Sequence, residues 1–186
     1  MRLFIAVELS DAVRARLSAA QERLRAAPCA VKWVKPQLMH LTLRFLGEVA
    51  PSRIPDLEAA MASAAEGVPP FEARVVGLGA FPERGAPRVV WAGIQDNGSL
   101  ATLNRRLEEA ARRLGFDPEQ RPFSPHLTLG RVKDARGAPA LRGLLDAQAA
   151  AHFGSCTITG LVLVESRLSP AGPSYTVLRR HTLAQE

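Results

Sequence analysis

The tetrapeptide HLTL occurs twice in this chain, in HLTLRFLG at residues 40–47 and in HLTLGR at residues 126–131. Given four histidines in the whole chain, two accidental His-x-Thr patterns have odds on the order of 0.01. An internal duplication therefore explains the repeat better than chance. Histidine and threonine are poor choices for a core position, so the repeated residues indicate a shared chemical role.

Strand geometry places the two polar residues of each copy on one face. Residues two apart in an extended strand point to the same side, so His40 and Thr42 share a face and the leucines lie opposite. The same holds for His126 and Thr128. If an approximate two-fold axis relates the two halves, the polar faces meet across a groove while the leucines enter a core.

The segments around the two copies alternate between strand and helix patterns. Strands are expected at residues 2–9, from 40, at 71–78 and 88–94, from 126, at 156–168 and at 174–181. Helices are expected from Ser10 or Asp11, from about residue 52 or 55 to Gly67, from 97 or 99 to Gly115, and at about 140–150. Short links imply antiparallel pairing, and no linker separates the halves. The sequence predicts an α+β fold of two related lobes in a single domain spanning residues 1–186.

Composition narrows the class of protein. The chain has 186 residues, 47% of them hydrophobic, and no apolar run near the roughly 20 residues of a membrane span. We therefore expect a soluble cytoplasmic protein. The net charge of +6 favours an anionic partner, although an arginine-rich proteome would also produce it. Cys29 and Cys156 lack the spacing of a zinc site or a disulfide framework, so no metal is expected.

Two opposed imidazoles suit acid–base chemistry. A neutral ring can remove a proton while a protonated ring delivers one to a leaving group, and threonine hydroxyls two residues away can donate to the oxygens of a bound anion. A phosphodiester fits this lining without a metal or another cofactor. The alternative is that both histidines are structural, each tied to a backbone carbonyl in duplicated strands.

Further stretches accompany the repeated motif: RLFIAVEL (2–9), HLTLRFLGEV (40–49), RVVWAGI (88–94), RPFSPHLTLGR (121–131) and ESRLSPAGPSYTVLRRHTL (165–183). With these stretches the chain resembles the two-histidine HxTx phosphoesterases. It is most similar to the bacterial and archaeal RNA 2′,3′-cyclic phosphodiesterases, also called 2′-5′ RNA ligases. The resemblance implies a pseudo-two-fold bilobal α+β fold, with two antiparallel sheets flanked by helices around a central cleft.

The resemblance also implies an activity and roles. It implies hydrolysis of a terminal 2′,3′-cyclic phosphate to a 2′-phosphomonoester and a free 3′ hydroxyl. His40 would be the proton donor and His126 the proton acceptor, while Thr42, Thr128 and Arg131 would bind the phosphate. The expected partners are RNA 3′ ends or small nucleotides that carry a cyclic phosphate, with no membrane and no obligate protein partner.

The sequence leaves open whether three residues that follow the HxT triplets, Arg44, Phe45 and Arg131, face the groove or the core. Phe45 matches a family position that contacts the base, but Phe45 and Arg131 fall on the leucine side of a regular strand. A bulge or a strand end after each motif would be needed to turn them inward. Otherwise Phe45 belongs to the core and Arg131 to an ion pair at the lobe edge. Regular alternation instead places Arg44 beside His40, as a possible substrate contact or a solvated surface residue.

Two other functions remain open from the sequence. The site could bind a nucleotide without turnover, or it could join 2′-5′ RNA linkages reversibly with the same groups. His152 and His181 lack the HxTx context and are expected to be structural or surface residues. Trp33 and Trp91 flank strand-like segments and are expected in the core.

Overall fold

A computed structural model describes residues 1–170 and 172–184. These residues form nine strands, which are β1 (Arg2–Val7), β2 (Ala30–Trp33), β3 (Leu41–Glu48), β4 (Phe71–Phe81), β5 (Val89–Gln95), β6 (His126–Asp134), β7 (His152–Ile158), β8 (Gly160–Ser169) and β9 (Gly172–Thr182). The four α-helices are α1 (Asp11–Leu24), α2 (Ile54–Ala65), α3 (Ser99–Arg113) and α4 (Ala138–Asp146). Ala171, within the stretch quoted between β8 and β9, lies outside the described residues.

The strands form two sheets, and every pair is antiparallel. Sheet A has the order β3-β1-β8-β9, and sheet B has the order β2-β6-β5-β4-β7. The first HLTL motif lies at β3 of sheet A and the second at β6 of sheet B. The α+β fold of two antiparallel sheets flanked by helices is therefore confirmed.

Helices α1 and α3 each pack against the sheet to which the preceding strand does not belong. Helix α1 follows β1 of sheet A but packs against β7 of sheet B, while α3 follows β5 of sheet B but packs against β3 of sheet A. Ser10 caps α1 by accepting a hydrogen bond from the backbone N–H of Val13, and Val13, Leu17 and Leu24 are buried on its inner face. None of the four described helices has the length and hydrophobicity that a bilayer crossing requires.

The main core lies between the sheets and the helices, and a smaller apolar cluster occupies the other face of sheet A. Leu3 and Ile5 of β1 enter the main core, whereas Phe4 and Ala6 belong to the smaller cluster. Strand β1 is thus buried on both faces, which explains why its sequence is apolar without alternation.

The expected single strand at residues 156–168 is wrong. The segment contains two strands, β7 of sheet B and β8 of sheet A, with a break at Thr159. Gly160 makes the crossing possible, because a Cβ there would lie 2.6 Å from the carbonyl oxygen of His181. The sequence on both sides of the break is rich in strand-forming residues, so local pattern alone could not separate the two sheets.

Smaller differences concern element ends. Helix α4 spans Ala138–Asp146 and not 140–150, because it starts directly after Gly137, whose φ is 77°. The short strand β2 was not expected, since Pro36 lies only three residues after its end at Trp33. It forms because it pairs with β6 along the edge of sheet B.

Candidate active site

A cavity of about 390 Å³ lies between the sheets, and both histidine motifs open into it. His40 and Thr42 line it from the sheet A side, and His126 and Thr128 line it from the sheet B side. We call His40, Thr42 and residues 43–45 the first half-site, and His126, Thr128 and residues 129–131 the second. The structure thus brings together the four polar residues of the two motifs.

A β-bulge follows the threonine of the first half-site. Thr42 and Arg44 of β3 pair with consecutive residues of β1, so Leu43 is the extra residue of the bulge. The extra residue reverses the alternation of side chains beyond it. Phe45 therefore faces the cavity, where 43% of its surface is exposed.

The second half-site has a bulge at the equivalent position. Thr128 and Gly130 of β6 pair with consecutive residues of β5, which leaves Leu129 as the extra residue. Arg131 is consequently exposed and lines the cavity. Both strands therefore contain the bulge that turns Phe45 and Arg131 toward the cavity.

The expectation that Arg44 lies beside His40, or on the solvated surface, is wrong. The bulge turns its side chain away from the cavity, and only 6% of the residue is exposed. The Arg44 Nε lies 2.7 Å from a carboxylate oxygen of Glu108 on α3, and its guanidinium also donates to the carbonyl oxygen of Asp117. Arg44 is thus an internal tie between β3, α3 and the loop after α3.

A side-chain amide from a helix holds each bulge, and Gln21 is buried whereas Asn104 is half-buried. The Asn104 Nδ2 on α3 donates to the carbonyl oxygen of Leu43 at 2.8 Å, and the Gln21 Nε2 on α1 donates to that of Leu129 at 2.8 Å. The same Gln21 nitrogen donates to the carbonyl oxygen of Val34, also at 2.8 Å. Our sequence reasoning missed these two residues. The sequence contained a signal for both, because Gln21 is a polar residue on the buried face of α1 and Asn104 lies four residues after the buried Leu100 of α3.

The two imidazoles are oriented in the same way. The His40 Nδ1 lies 2.8 Å from the carbonyl oxygen of Leu38, and the His126 Nδ1 lies 2.7 Å from that of Ser124. A carbonyl accepts only, so each Nδ1 carries the proton and donates it to that bond. Each Nε2 is left for proton transfer. In the first half-site the Nε2 is also 3.1 Å from the hydroxyl oxygen of Thr42.

The surroundings of the two rings differ. His40 stacks on Phe4 with ring centroids 4.6 Å apart, and Tyr175 meets it edge-on at 5.1 Å. Burial lowers the pKa of His40, and the positive charge of Arg14 acts in the same direction, while the hydrogen bond to the Leu38 carbonyl opposes it.

The second ring has one aromatic neighbour among the described residues, Phe81, whose ring centroid lies 5.2 Å away in an edge-on arrangement. Our sequence reasoning did not identify Phe4, Phe81 or Tyr175 as site residues. Burial raises the pKa of Tyr175, so its hydroxyl keeps its proton at neutral pH. These aromatic residues come from three distant strands, and the HxTx pattern gives no indication of them.

The remaining histidines lie away from the cavity. His152 is exposed on β7, and His181 is half-buried on β9. Trp33 packs against the main core and also borders the cavity. The core position expected for Trp91 is wrong. It is half-buried outside the main core, and a Cβ at Gly79 would lie 2.3 Å from its indole ring.

Comparison with known proteins identifies relatives of the whole chain. A family model described as LigT-like phosphoesterase matches residues 7–91 and 93–175. An RNA 2′,3′-cyclic phosphodiesterase from Methanothermobacter thermautotrophicus is 36% identical, with 95% of each chain covered. One from Thermus thermophilus is 40% identical, covering 100% of this chain and 92% of the relative.

Solved structures give the same result. The crystal structure of the Thermus thermophilus protein TT0787 superposes with a TM-score of 0.84 at 39% identity, and all of both chains is covered. Escherichia coli LigT complexed with 3′-AMP superposes with a TM-score of 0.77 at 30% identity, covering 99% of this chain and 98% of that one.

Proposed function

The chain belongs to the LigT-like phosphoesterase family, and on that premise we propose that it is an RNA 2′,3′-cyclic phosphodiesterase. The observation that carries this proposal is that two His-x-Thr motifs from different sheets open into one cavity. The protein hydrolyses a terminal 2′,3′-cyclic phosphate to a 2′-phosphomonoester and a free 3′ hydroxyl, without a metal. Residues 1–186 act as one two-lobed domain. A cytoplasmic location is consistent with an RNA substrate.

The reaction needs one proton acceptor and one proton donor. The Nε2 of His126 takes a proton from water as the water oxygen bonds to phosphorus. The bond from phosphorus to O3′ breaks, and the Nε2 of His40 gives its proton to O3′. Positioned groups of this kind each contribute about 10²- to 10⁴-fold to a rate. The Nδ1 bonds to the carbonyls of Leu38 and Ser124 support this scheme, since they fix the ring orientations.

Negative charge grows on the phosphate oxygens in the transition state, and three residues of the cavity are suited to stabilise it. The hydroxyls of Thr42 and Thr128 donate to these oxygens from opposite sides, and the Arg131 guanidinium supplies a positive charge. Phe45 offers an exposed ring on which the terminal base stacks. All four side chains line the same cavity as the histidines.

The environment of His40 makes its charge depend on the substrate. Because burial lowers the pKa of His40, its ring is mainly neutral at pH 7 when the cavity is empty. An anionic cyclic phosphate beside the ring favours the protonated form, which is the form a proton donor needs. Substrate binding therefore supplies the proton donor with its charge.

The test is product analysis of a short RNA ending in a 2′,3′-cyclic phosphate, incubated in EDTA. Wild type should convert this RNA to one that ends in a 2′-phosphate and a free 3′ hydroxyl, while His40→Ala and His126→Ala should each lose at least about 10²-fold in rate. His152→Ala is the matched control, because this histidine is exposed on β7 outside the cavity. It should keep the wild-type rate.

Other products would contradict the proposal in distinct ways. A 3′-phosphate product would mean that the other ester bond breaks. Joining to an RNA with a free 5′ hydroxyl, without hydrolysis, would identify a ligase. Tight binding without turnover would identify a nucleotide-binding module.

A further inference from the structure

The lining of the cavity is entirely basic among its charged residues. Five cations line it in the part of the chain that the structure describes, Arg2, Lys32, Lys35, Arg131 and Lys133, and no aspartate or glutamate does. None of the five forms an ion pair with a described carboxylate. Arginines elsewhere differ, since many of them are paired with a neighbouring acid.

The type of cation is as informative as the charge. Lysine and arginine together number 24 in the chain, and only three are lysines. All three lysines, Lys32, Lys35 and Lys133, line this one cavity. A chain that uses arginine almost everywhere else thus keeps lysine at the site. Lysine provides a compact charge on a flexible stem, which suits a phosphate group whose orientation varies.

The three lysines flank Arg131 along one edge of sheet B. Lys32 of β2 is the direct cross-strand partner of Arg131 on β6, and Lys133 lies two residues further along β6. Residues two apart on a strand share a face and lie about 6.6 Å apart. Strand β2 is an edge strand that ends at Trp33. Val34 donates its N–H to the carbonyl oxygen of Leu129, so the next residue, Lys35, lies on the other side of Arg131 from Lys133. We call Lys32, Lys35 and Lys133 the lysine edge.

We propose that the lysine edge binds the phosphodiester backbone of RNA on the 5′ side of the cyclic end. The inference rests on the proposed function and makes it more specific, because it assigns contact with the strand beyond the cyclic end to three named residues. The cyclic phosphate sits between the two half-sites beside Arg131. The preceding phosphates lie along this edge of sheet B, where Lys32, Lys35 and Lys133 surround Arg131.

The physical contribution of the lysine edge is electrostatic and independent of base sequence. Each lysine that neutralises a phosphate releases a condensed counterion, so affinity falls as salt rises. Contacts to phosphate fix the position of the strand but carry no base information. The enzyme is therefore expected to prefer longer RNA over a mononucleotide regardless of sequence.

The experiment compares kcat/KM for 2′,3′-cyclic AMP with that for ten-nucleotide RNAs, one A-rich and one U-rich, that end in a cyclic phosphate. Wild type should prefer both RNAs by at least about tenfold. The double variant Lys32→Gln/Lys133→Gln should lose at least about tenfold of that preference. Its plot of log kcat/KM for RNA against log salt should be shallower by about 1.4, since each contact to a single strand contributes about 0.7.

A control variant removes the same charge elsewhere. Arg112 and Arg113 are exposed in the last turn of α3, outside the cavity. Arg112→Gln/Arg113→Gln should keep the wild-type preference and the wild-type salt slope. An equal loss in both double variants would overturn the lysine edge, because it would show an effect of net charge alone.

The outcomes separate this inference from the proposed function. Hydrolysis of cyclic AMP with no preference for RNA would overturn the lysine edge and leave the function intact. Hydrolysis of neither substrate would overturn the function. In that case fluorescence anisotropy of a labelled RNA ending in a 3′-phosphate tests the lysine edge separately. Lys32→Gln/Lys133→Gln should weaken its binding at least about tenfold, and unchanged binding would overturn the inference.

Discussion

The two half-sites share a backbone design and differ in the side chains that surround it. Each has an imidazole tied to a carbonyl two residues earlier, a threonine two residues later, a bulge after the threonine and an amide from a helix that holds the bulge. The first imidazole is enclosed by aromatic rings, whereas the second has one such neighbour among the described residues.

The difference also extends to the residues that follow each bulge. Arg44 occupies the position equivalent to Gly130, and Phe45 the position equivalent to Arg131. The first half-site thus offers an aromatic surface to the cavity, and the second offers a cation. Duplication supplies two similar proton-transfer groups, and divergence of the neighbouring residues gives the two sides of the cavity different tasks.

The largest predicted difference is between Arg44, which stabilises the fold, and Arg131, which binds the phosphate. Arg44→Gln should lower the free energy of unfolding by about 3 kcal/mol, because it leaves the Glu108 carboxylate without its partner. Arg131→Gln should leave stability unchanged but lower kcat/KM about 10- to 100-fold, since a hydrogen bond to a charged group is worth about 1.5–3 kcal/mol. Denaturant unfolding and steady-state kinetics measure the two effects. A stability loss for Arg131→Gln together with a rate loss for a stable Arg44→Gln would reverse the assignment.

The amides that hold the bulges predict a smaller effect. Gln21→Met removes the hydrogen bonds to the carbonyls of Val34 and Leu129, and Asn104→Leu removes the one to Leu43, so each variant should lose about 1–2 kcal/mol of stability. Because Gln21 holds the bulge before Arg131, Gln21→Met should also raise KM for RNA. Double-mutant cycles with Arg131→Gln measure this coupling. Additive effects of Gln21→Met and Arg131→Gln on KM would mean that the amide only stabilises the fold.

The smallest predicted effect concerns acid stability. Burial lowers the pKa of folded His40 below the ordinary value of about 6.5, so the unfolded chain takes up this proton at a higher pH than the folded chain. The contribution of neutral His40 to stability is present above about pH 6.5 and is lost as the pH falls below it. The free energy of unfolding, measured from pH 8 to pH 5, should fall less in His40→Gln than in wild type.

The second half-site provides the control for this titration. His126→Gln removes an imidazole from the same cavity but leaves His40 in place. Its free energy of unfolding should therefore still show the fall in acid that His40 causes. Identical pH dependence in His40→Gln and wild type would show that burial does not set the charge of the first imidazole.

Local sequence predicted the half-sites better than their surroundings. The repeated HLTL motif indicated two strands with histidine and threonine on one face, because a period of two is a local property of a strand. The position of Arg44 was predicted wrongly, because alternation assumes regular pairing. The bulge depends on the partner strand β1 and on Asn104, which lies far along the chain.

The same reason explains what the sequence did not provide. The boundary between β7 and β8 depends on which sheet accepts each strand, and the aromatic residues around His40 come from β1 and β9. The lysine edge joins residues of β2 and β6 that are about one hundred positions apart. These features are tertiary, so no window along the chain contains them.

The central claim is that His40 donates a proton to the leaving group and His126 accepts one from water. The most direct test of this claim is to change the leaving group. An RNA whose cyclic phosphate carries sulfur in place of O3′ releases a thiolate, which leaves without receiving a proton. This substrate should restore at least about 10²-fold of the rate lost in His40→Ala and little of the rate lost in His126→Ala. Rescue of His126→Ala alone, or equal rescue of both variants, would contradict the roles assigned here.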